Sequence, residues 1–403
     1  MDLRTGHPFW LAKNGFLNAY PGLNASEDCD VAIIGAGITG ALIANELSEA
    51  GLDCVVLDQR DAGTGSTVAS TALLQYEIDT ELWELIDRIG EEKAVRAYRL
   101  GLEAIDRIEE IGRQLPRTCE FERRESFYFA SRNAHKNQLL REYKCRKSHG
   151  FDVDYLDAKQ VAERFPFAAP AGIISRGDAV IDVFQFTHEL LKSSQKRGTR
   201  IYDRTKVGKF DRDGEGFLLT TDRGFTVTAG KLIMATGYES KEYLKSHRGS
   251  LHSTFATISE PMDPMPQWPN QCLIWESARP YFYLRSTPDH RILIGGEDTP
   301  HSSDHRSESL LARKTARLVS RFEALFPDSR FEVAYNWAGT FGESEDGLAC
   351  IGEPPEWPGI CFAVGFGGNG ITMSVIAAKI LVDHCLGRPN PDADIYRFDR
   401  KPV

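Results

Sequence analysis

The chain has 403 residues, 41% of them hydrophobic and 26% charged, with a formal net charge of −10. That length can bury a sizeable core and fits two domains, while the acidic balance argues against a nucleic-acid partner, which would need a basic patch. No apolar run approaches the roughly 20 residues needed to span a bilayer. Residues 1–14 lack the basic segment and apolar stretch of a secretory signal. The eight cysteines are scattered without a C-x-x-C pair or zinc spacing, so reduced, structural thiols in a cytoplasmic protein are expected.

The first informative segment is residues 30–58. Val31 to Ile34 reads as a buried parallel strand, and Gly35, Gly37 and Gly40 follow it in G-x-G-x-x-G spacing. Ala41 to Leu47 reads as a helix and Leu52 to Leu57 as a second strand, which ends at Asp58. The first glycine permits the tight turn, the second lets backbone approach a pyrophosphate, and the third lets helix pack on strand. The helix N-terminus then offers free N–H groups and the positive end of its dipole to phosphates. Asp58 can accept hydrogen bonds from ribose hydroxyls. This combination predicts a dinucleotide site.

Further along, residues 91–115 read as a long amphipathic helix, 121–130 as a strand and 132–148 as a charged helix. A strand over 173–181 leads into a helix over 184–196. Next come an extended stretch over 200–207, a hairpin over 209–228 and the run Leu232 to Gly237. Residues 251–298 are strand-rich, and Pro261, Pro264, Pro266 and Pro269 mark a loop within them. A helix over 307–326, a strand over 360–364, a glycine cluster and a helix over 371–386 close the chain. The alternation of α/β and β-rich stretches predicts a discontinuous nucleotide-binding domain with a second domain inserted.

Several segments in this order resemble the D-amino acid oxidase superfamily of flavoproteins, which includes glycine, sarcosine and γ-glutamylputrescine oxidoreductases. They are the glycine fingerprint with Asp58, the Gly63-Thr64-Gly65-Ser66-Thr67 loop, Thr205-Lys206-Val207 and the Met234-Ala235-Thr236-Gly237 turn. Asp346 to Gly352 and the final Gly365-Phe366-Gly367-Gly368-Asn369-Gly370-Ile371-Thr372 complete the series. His7-Pro8-Phe9-Trp10 and the phrase from Ser70 to Asp79 resemble an uncharacterised bacterial branch of it.

The resemblance implies an α/β fold, with a Rossmann-like FAD-binding domain of glutathione-reductase type and an inserted, mainly antiparallel β-sheet substrate domain. The implied divisions are 1–90, 155–245 and 330–403 for FAD, with 91–154 and 246–329 for the cap. The implied cofactor is non-covalent FAD. Gly35, Gly37, Ile38, Thr39 and Gly40 would meet the pyrophosphate, Asp58 the ribose, and the backbone of Val207 the adenine. Gly65, Ser66 and Thr67 would run from ribose towards flavin, with Ala235, Thr236 and Gly237 returning to the cofactor. Gln59, Arg60, Ala72, Leu73, Leu74 and Gly339 are further implied contacts. Gly367, Gly368, Asn369, Gly370, Ile371 and Thr372 would lie under the isoalloxazine, where a helix dipole stabilises negative charge on the reduced ring.

The chain also departs from the family pattern. Amino-acid-oxidising relatives often carry an arginine before the "DG" turn to clamp a carboxylate. Residues 337–343, Trp-Ala-Gly-Thr-Phe-Gly-Glu, offer none, which weighs against a free α-amino acid. Gly339 and Thr340 stand where covalently flavinylated relatives have a cysteine, and Leu293 stands near the lysine with which sarcosine oxidases promote reaction with oxygen. Oxygen would therefore be a poor electron acceptor and a dehydrogenase becomes an alternative to an oxidase, so the implied acceptor is oxygen or another carrier.

Tyr281, Tyr283 and Arg285 share one strand face by period-two spacing. That face is either the flavin's substrate side, with Arg285 binding a carboxylate, or a solvated sheet surface. Trp337 and Phe341 either line the cavity or pack in the core, and Glu77 and Asp79 are either cation-recognising or surface carboxylates. Tyr281, Tyr283, Arg285, Thr340 and Phe341 are the candidate catalytic residues. His301 and His305 have metal-ligand spacing but no further ligand nearby, so no metal is expected.

The reaction implied is oxidation of the C–N bond of a small amine or amino-acid derivative by hydride transfer to flavin N5, giving an imine that hydrolyses. The competitors are a 2-hydroxy acid dehydrogenase and a flavin-carrying subunit of an electron-transfer complex. A small-molecule substrate is implied; oligomeric state is left open.

Overall fold

A computed structural model describes residues 3–244, 249–301 and 307–400. His305 therefore lies outside the described residues.

Two sheets divide the described chain. The apolar run after the charged Glu27-Asp28 pair gives strand Glu27–Ile34, which lies at the centre of an eight-stranded sheet. It pairs in parallel with Cys54–Leu57 on one side and Thr226–Met234 on the other. Arg200–Tyr202 extends the sheet beyond Cys54–Leu57, and Ile360–Val364 extends it beyond Thr226–Met234. Helix Ile38–Glu49 is apolar nearly all round, as a helix buried between sheet and helices must be. It packs against Val183–Lys196 and Gly370–Cys385, and a hydrogen bond of 2.7 Å between the Thr39 and Ser374 hydroxyls ties it to the latter.

The second sheet has ten strands. Its central run is Val333–Glu343, Ser250–Ser259, Ile292–Pro300 and Phe282–Ser286, all antiparallel. Leu273–Glu276 and Glu122–Phe129 form its one described parallel pair, and Ala171–Val180 follows. Helix Glu308–Leu325 covers one face over a phenylalanine-rich core that includes Phe127, Phe165, Phe282 and Phe322.

The expected architecture of a Rossmann-like domain beside a mainly antiparallel sheet matches this arrangement. The expected divisions do not follow the sheets. Arg4–Gly6, Leu73–Leu74, Ala171–Val180 and Val333–Glu343 all join the second sheet from segments assigned to the nucleotide domain. Several elements have no counterpart in the sequence reading, among them strand Val333–Glu343, helix Phe9–Asn14, helix Leu82–Ile89, strand Val153–Asp157 and helix Ala158–Arg164. The last carries a readable signal, a capping box in which Asp157 and Gln160 bond each other's backbone N–H.

Candidate active site

One large cavity, roughly 400 Å³, runs from the carboxyl ends of the parallel strands to the second sheet. At its first end the glycine turn is as tight as its residues allow. Gly35 has φ +115°, and a Cβ there would stand 2.3 Å from the Ala235 carbonyl oxygen. A Cβ on Gly40 would stand 1.8 Å from the Gly35 carbonyl oxygen, so Gly40 lets the helix sit on the strand and does not itself line the cavity. Thr67 Oγ1 accepts from the Ile38 N–H at 2.9 Å, and Ser66 Oγ, also on the cavity, is buried without a partner.

Asp58 is committed more deeply than a ribose contact requires. Its carboxylate accepts from the Ala36 N–H at 2.7 Å and the Arg60 N–H at 2.8 Å, clamping the glycine turn to the end of the second strand. Burial pushes its carboxyl up to about 6, against the pull of those two N–H groups. Each oxygen keeps a second lone pair, and the residue lines the cavity. Arg60 pairs in two-pronged fashion with Glu239, at 2.9 and 2.7 Å, and Gln59 donates to the same carboxylate.

Residues 69–72 cross the middle of the cavity, held by their carbonyls. Trp337 Nε1 donates to Ala69 O at 2.8 Å and Trp10 Nε1 to Ser70 O at 2.7 Å. Arg285 Nη1 donates to Ala72 O at 2.7 Å, Ile181 O at 3.1 Å and Thr71 O at 3.4 Å. Ala72 carries φ +56°, a conformation that such outside ties must stabilise. This corrects the reading of Arg285 as a carboxylate clamp. The side chain is fully buried, does not line the cavity, and burial lowers it to about 10. Sequence periodicity put it on the right face but could not reveal the loop lying above it. Leu74, an implied cofactor contact, is likewise buried outside the cavity lining, as is Leu293.

Glu77 is the second correction. Although the residue borders the cavity, its side chain is 1% exposed, and Oε1 is paired with Arg146 at 3.2 Å and accepts from Ser126 at 3.0 Å, while Oε2 is buried without a partner. Arg146 is also paired with Glu142, which accepts from the Leu82 and Trp83 N–H groups and so caps helix Leu82–Ile89 from outside. Burial, with the Glu77 charge beside it, holds Asp178 well above the usual carboxylate range. This network is the base on which Gln75 and Glu77 present their carbonyls to Asn369 Nδ2, at 3.1 and 2.8 Å. Asn369 in turn stands at the start of helix Gly370–Cys385, whose first turn lines the cavity.

The far end of the cavity is walled by Trp275, Tyr281, Tyr283, Thr340 and Phe341, together with Asp79, Asp298 and Glu343. Tyr281 Oη donates to the Asp79 carbonyl at 3.3 Å, and Asp79 Oδ2 accepts from the Gly368 N–H at 2.9 Å. Burial, with Asp298 beside it, pushes the Tyr283 hydroxyl up to about 12. Thr340 Oγ1 is buried, lines the cavity and has no hydrogen-bond partner. Asp298 was missed from sequence, where no motif marks it; Glu343, read there as the start of an acidic loop, instead closes strand Val333–Glu343.

Apart from Gly40, Leu74 and Arg285, every candidate site residue borders this one cavity. No cysteine is among the described lining residues, so the walls present no thiol for a covalent link. Elsewhere, Glu353, Cys361 and His384 bring possible ligand atoms within 4.8 Å of one another, but an ion pair of 3.1 Å between Glu353 and His384 already accounts for two of them.

A glycine turn opening a buried helix, an acidic residue closing the next strand, and a second helix N-terminus on the same cavity define a dinucleotide-binding oxidoreductase fold. The family described as "FAD dependent oxidoreductase" (DAO) matches residues 30–384, and the chain belongs to that family. It is thus an FAD-dependent oxidoreductase, and the glycine cradle and unpartnered Ser66 hydroxyl suit that cofactor.

Among its relatives, glycine oxidase of Geobacillus kaustophilus is 25% identical over 88% of this chain and 92% of its own. A putative Rieske 2Fe-2S iron-sulfur protein of Bacillus subtilis is 23% identical over 98% of this chain and 76% of its own. The crystal structure of the Geobacillus glycine oxidase superposes with a TM-score of 0.77 at 22% identity, covering 91% of this chain and 96% of that one. No described helix is long and apolar enough to cross a membrane.

Proposed function

We propose that this oxidoreductase oxidises the carbon–nitrogen bond of a small amine or amino-acid derivative. A hydride leaves the carbon next to nitrogen with its electron pair, the nitrogen lone pair forms the C=N bond, and water then hydrolyses the imine. FAD, when bound, supplies the hydride acceptor. The chain's own residues would do the rest by position. Tyr281, Tyr283, Phe341 and Trp275 give the substrate a largely apolar wall that excludes water, and Thr340 offers an unspent hydroxyl. Helix Gly370–Cys385 aims its N-terminus at the cavity, where it would favour negative charge on the reduced cofactor.

The observation that carries this reading is the character of the far wall. Asp79, Asp298 and Glu343 line it, while the described basic lining residues, Arg60 and Lys206, belong to the nucleotide end. An acidic wall attracts an amine, which is protonated in solution, and repels the anion of a 2-hydroxy acid. The test is the anaerobic visible spectrum of the holoprotein during addition of separate pools of amines, amino acids and hydroxy acids. Bleaching by the amine pool is expected; bleaching by hydroxy acids alone would overturn the reading. A second reading, a flavin-carrying subunit that passes electrons to a partner, draws support from the similarity to the Rieske protein. It predicts that bleached protein stays reduced in air until a redox partner is added.

A further inference from the structure

Three carboxylates meet at the far end of the cavity. Asp298 lies in the last part of strand Ile292–Pro300 beside Thr254, which donates to it, and the charges of Asp79 and Glu343 both act on it. Its Oδ1 is shut off from solvent and has no partner. Desolvation first, and those two neighbouring charges after it, push its carboxyl up to about 6 against the Thr254 hydrogen bond and the Arg279 charge; Glu343 is raised by desolvation and the Asp79 charge, against His252 and Arg279. Thr340 Oγ1, buried and unpartnered, faces the same space.

The positive groups nearby are already engaged. Arg279 is exposed at the rim, outside the cavity lining, where it lies over the Tyr281 ring and donates to the Asp79 backbone carbonyl. His252 stacks on Phe341 and lies 3.9 Å from the Glu343 carboxylate. Neither is a hydrogen-bond partner of Asp298 Oδ1, and Arg279 acts on the carboxylate only through its charge. A largely buried carboxylate with two like charges beside it, and among the described residues only the rim charge of Arg279 to offset them, is costly unless a ligand supplies a closer counter-charge.

The reacting amine is unsuited to that task. Its nitrogen must be deprotonated to release a hydride from the adjacent carbon, so it is neutral when the reaction occurs. A substrate carboxylate would add a fourth negative charge to a wall that holds no arginine to receive it. The standing counter-charge must therefore come from a second nitrogen.

We propose that Asp298, flanked by Asp79 and Glu343, is a subsite for a second ammonium group, so that the substrate is a diamine or polyamine without a carboxylate. The proposal rests on the amine-oxidising reading above and deepens it. The neutral end of the chain lies at the reacting position, the apolar methylenes cross the Tyr281, Tyr283 and Phe341 wall, and the ammonium at the other end meets the carboxylates.

The test uses three probes of similar length on the anaerobic holoprotein: butane-1,4-diamine, butylamine and 4-aminobutanoate. The diamine should bleach the flavin with an apparent affinity about tenfold or more above butylamine, as expected for one desolvated charge pair, with 4-aminobutanoate weakest. Asp298→Asn should bring the diamine-to-butylamine ratio to about one, and Glu343→Gln should lower it in the same direction.

A second readout needs no turnover. Calorimetric titration of dithionite-reduced holoprotein, which cannot accept a hydride, should show diamine binding that weakens about tenfold or more in Asp298→Asn. Equal response to diamine and butylamine in the wild type, or 4-aminobutanoate as the best of the three, would overturn the proposal while leaving amine oxidation standing. Diamine binding to the reduced protein without bleaching by any amine would instead support the subsite and sink the oxidation. Absence of both would remove the two together.

Discussion

The two ends of the cavity are built on opposite principles. At the nucleotide end the functional groups are backbone: tight glycines, helix N–H groups and a carboxylate, Asp58, already bonded to two backbone N–H groups. Charges there are matched, as in the fork between Arg60 and Glu239. At the far end the functional groups are side chains from strands distant in sequence, and Asp298 keeps an oxygen without a partner. At the first end the charges are matched before any ligand arrives, and among the described residues only the Ser66 hydroxyl waits for a partner; at the second a charge is left for the ligand to match. A fixed cofactor and a variable substrate call for that division.

The largest effect should come from breaking the first end at its closest contact. Gly40→Ala drives a methyl group against the Gly35 carbonyl, where 1.8 Å is available, so helix and strand must separate. Overpacking of this kind costs about 1–3 kcal/mol, and a contact with rigid backbone lies at the top of that range. The variant should purify colourless, and its absorbance after FAD addition checks this. Retention of flavin at wild-type stoichiometry would mean that the turn is softer than its geometry implies.

The middle of the cavity was the least legible part in sequence. Glycine spacing, apolar runs and turn residues are local, so the nucleotide sheet, its helices and the order of the cofactor segments could be read directly. Arg285 illustrates the opposite case. Its strand periodicity was visible, but its partners, Thr71, Ala72 and Ile181, lie more than a hundred residues away. Glu77 also read as an exposed carboxylate until Arg146, 69 residues further on, was found against it. Asp298 had no motif at all: an aspartate after Gly-Gly-Glu on a strand is unremarkable until the bulge opposite Thr254 turns it into the cavity.

Arg285 also provides the second prediction, which separates a loop support from a substrate ligand. Arg285→Met removes the donor from three carbonyls in a buried setting, a loss of about 3–5 kcal/mol by analogy with broken buried ion pairs and unsatisfied groups. The effect should appear as a lower melting temperature and weaker FAD retention. Whatever holoprotein survives should show a substrate affinity close to wild type. A large rise in KM with normal flavin content would restore Arg285 to the substrate.

The smallest effect tests the unmatched end without any substrate. The folded-state value for Asp298 is raised to about 6, above the roughly 3.9 of an unfolded aspartate, so the folded protein favours its protonated form. Between those two values the native state binds more protons than the unfolded state, and this group's contribution to stability falls as pH rises. Above about 6 the full penalty of the ionised carboxylate is present. The groups facing it, Asp79, Glu343 and the more distant Arg279, set that penalty together with burial. Asp298→Asn removes the charge and should make the substrate-free holoprotein more stable than wild type at pH 8, by about 1 kcal/mol once screening by cavity water is allowed for. The gain should shrink towards zero near pH 4, and melting curves at both pH values measure it. A variant less stable than wild type at pH 8 would mean that the carboxylate is already matched within the protein, and the two ends of the cavity would then share one design.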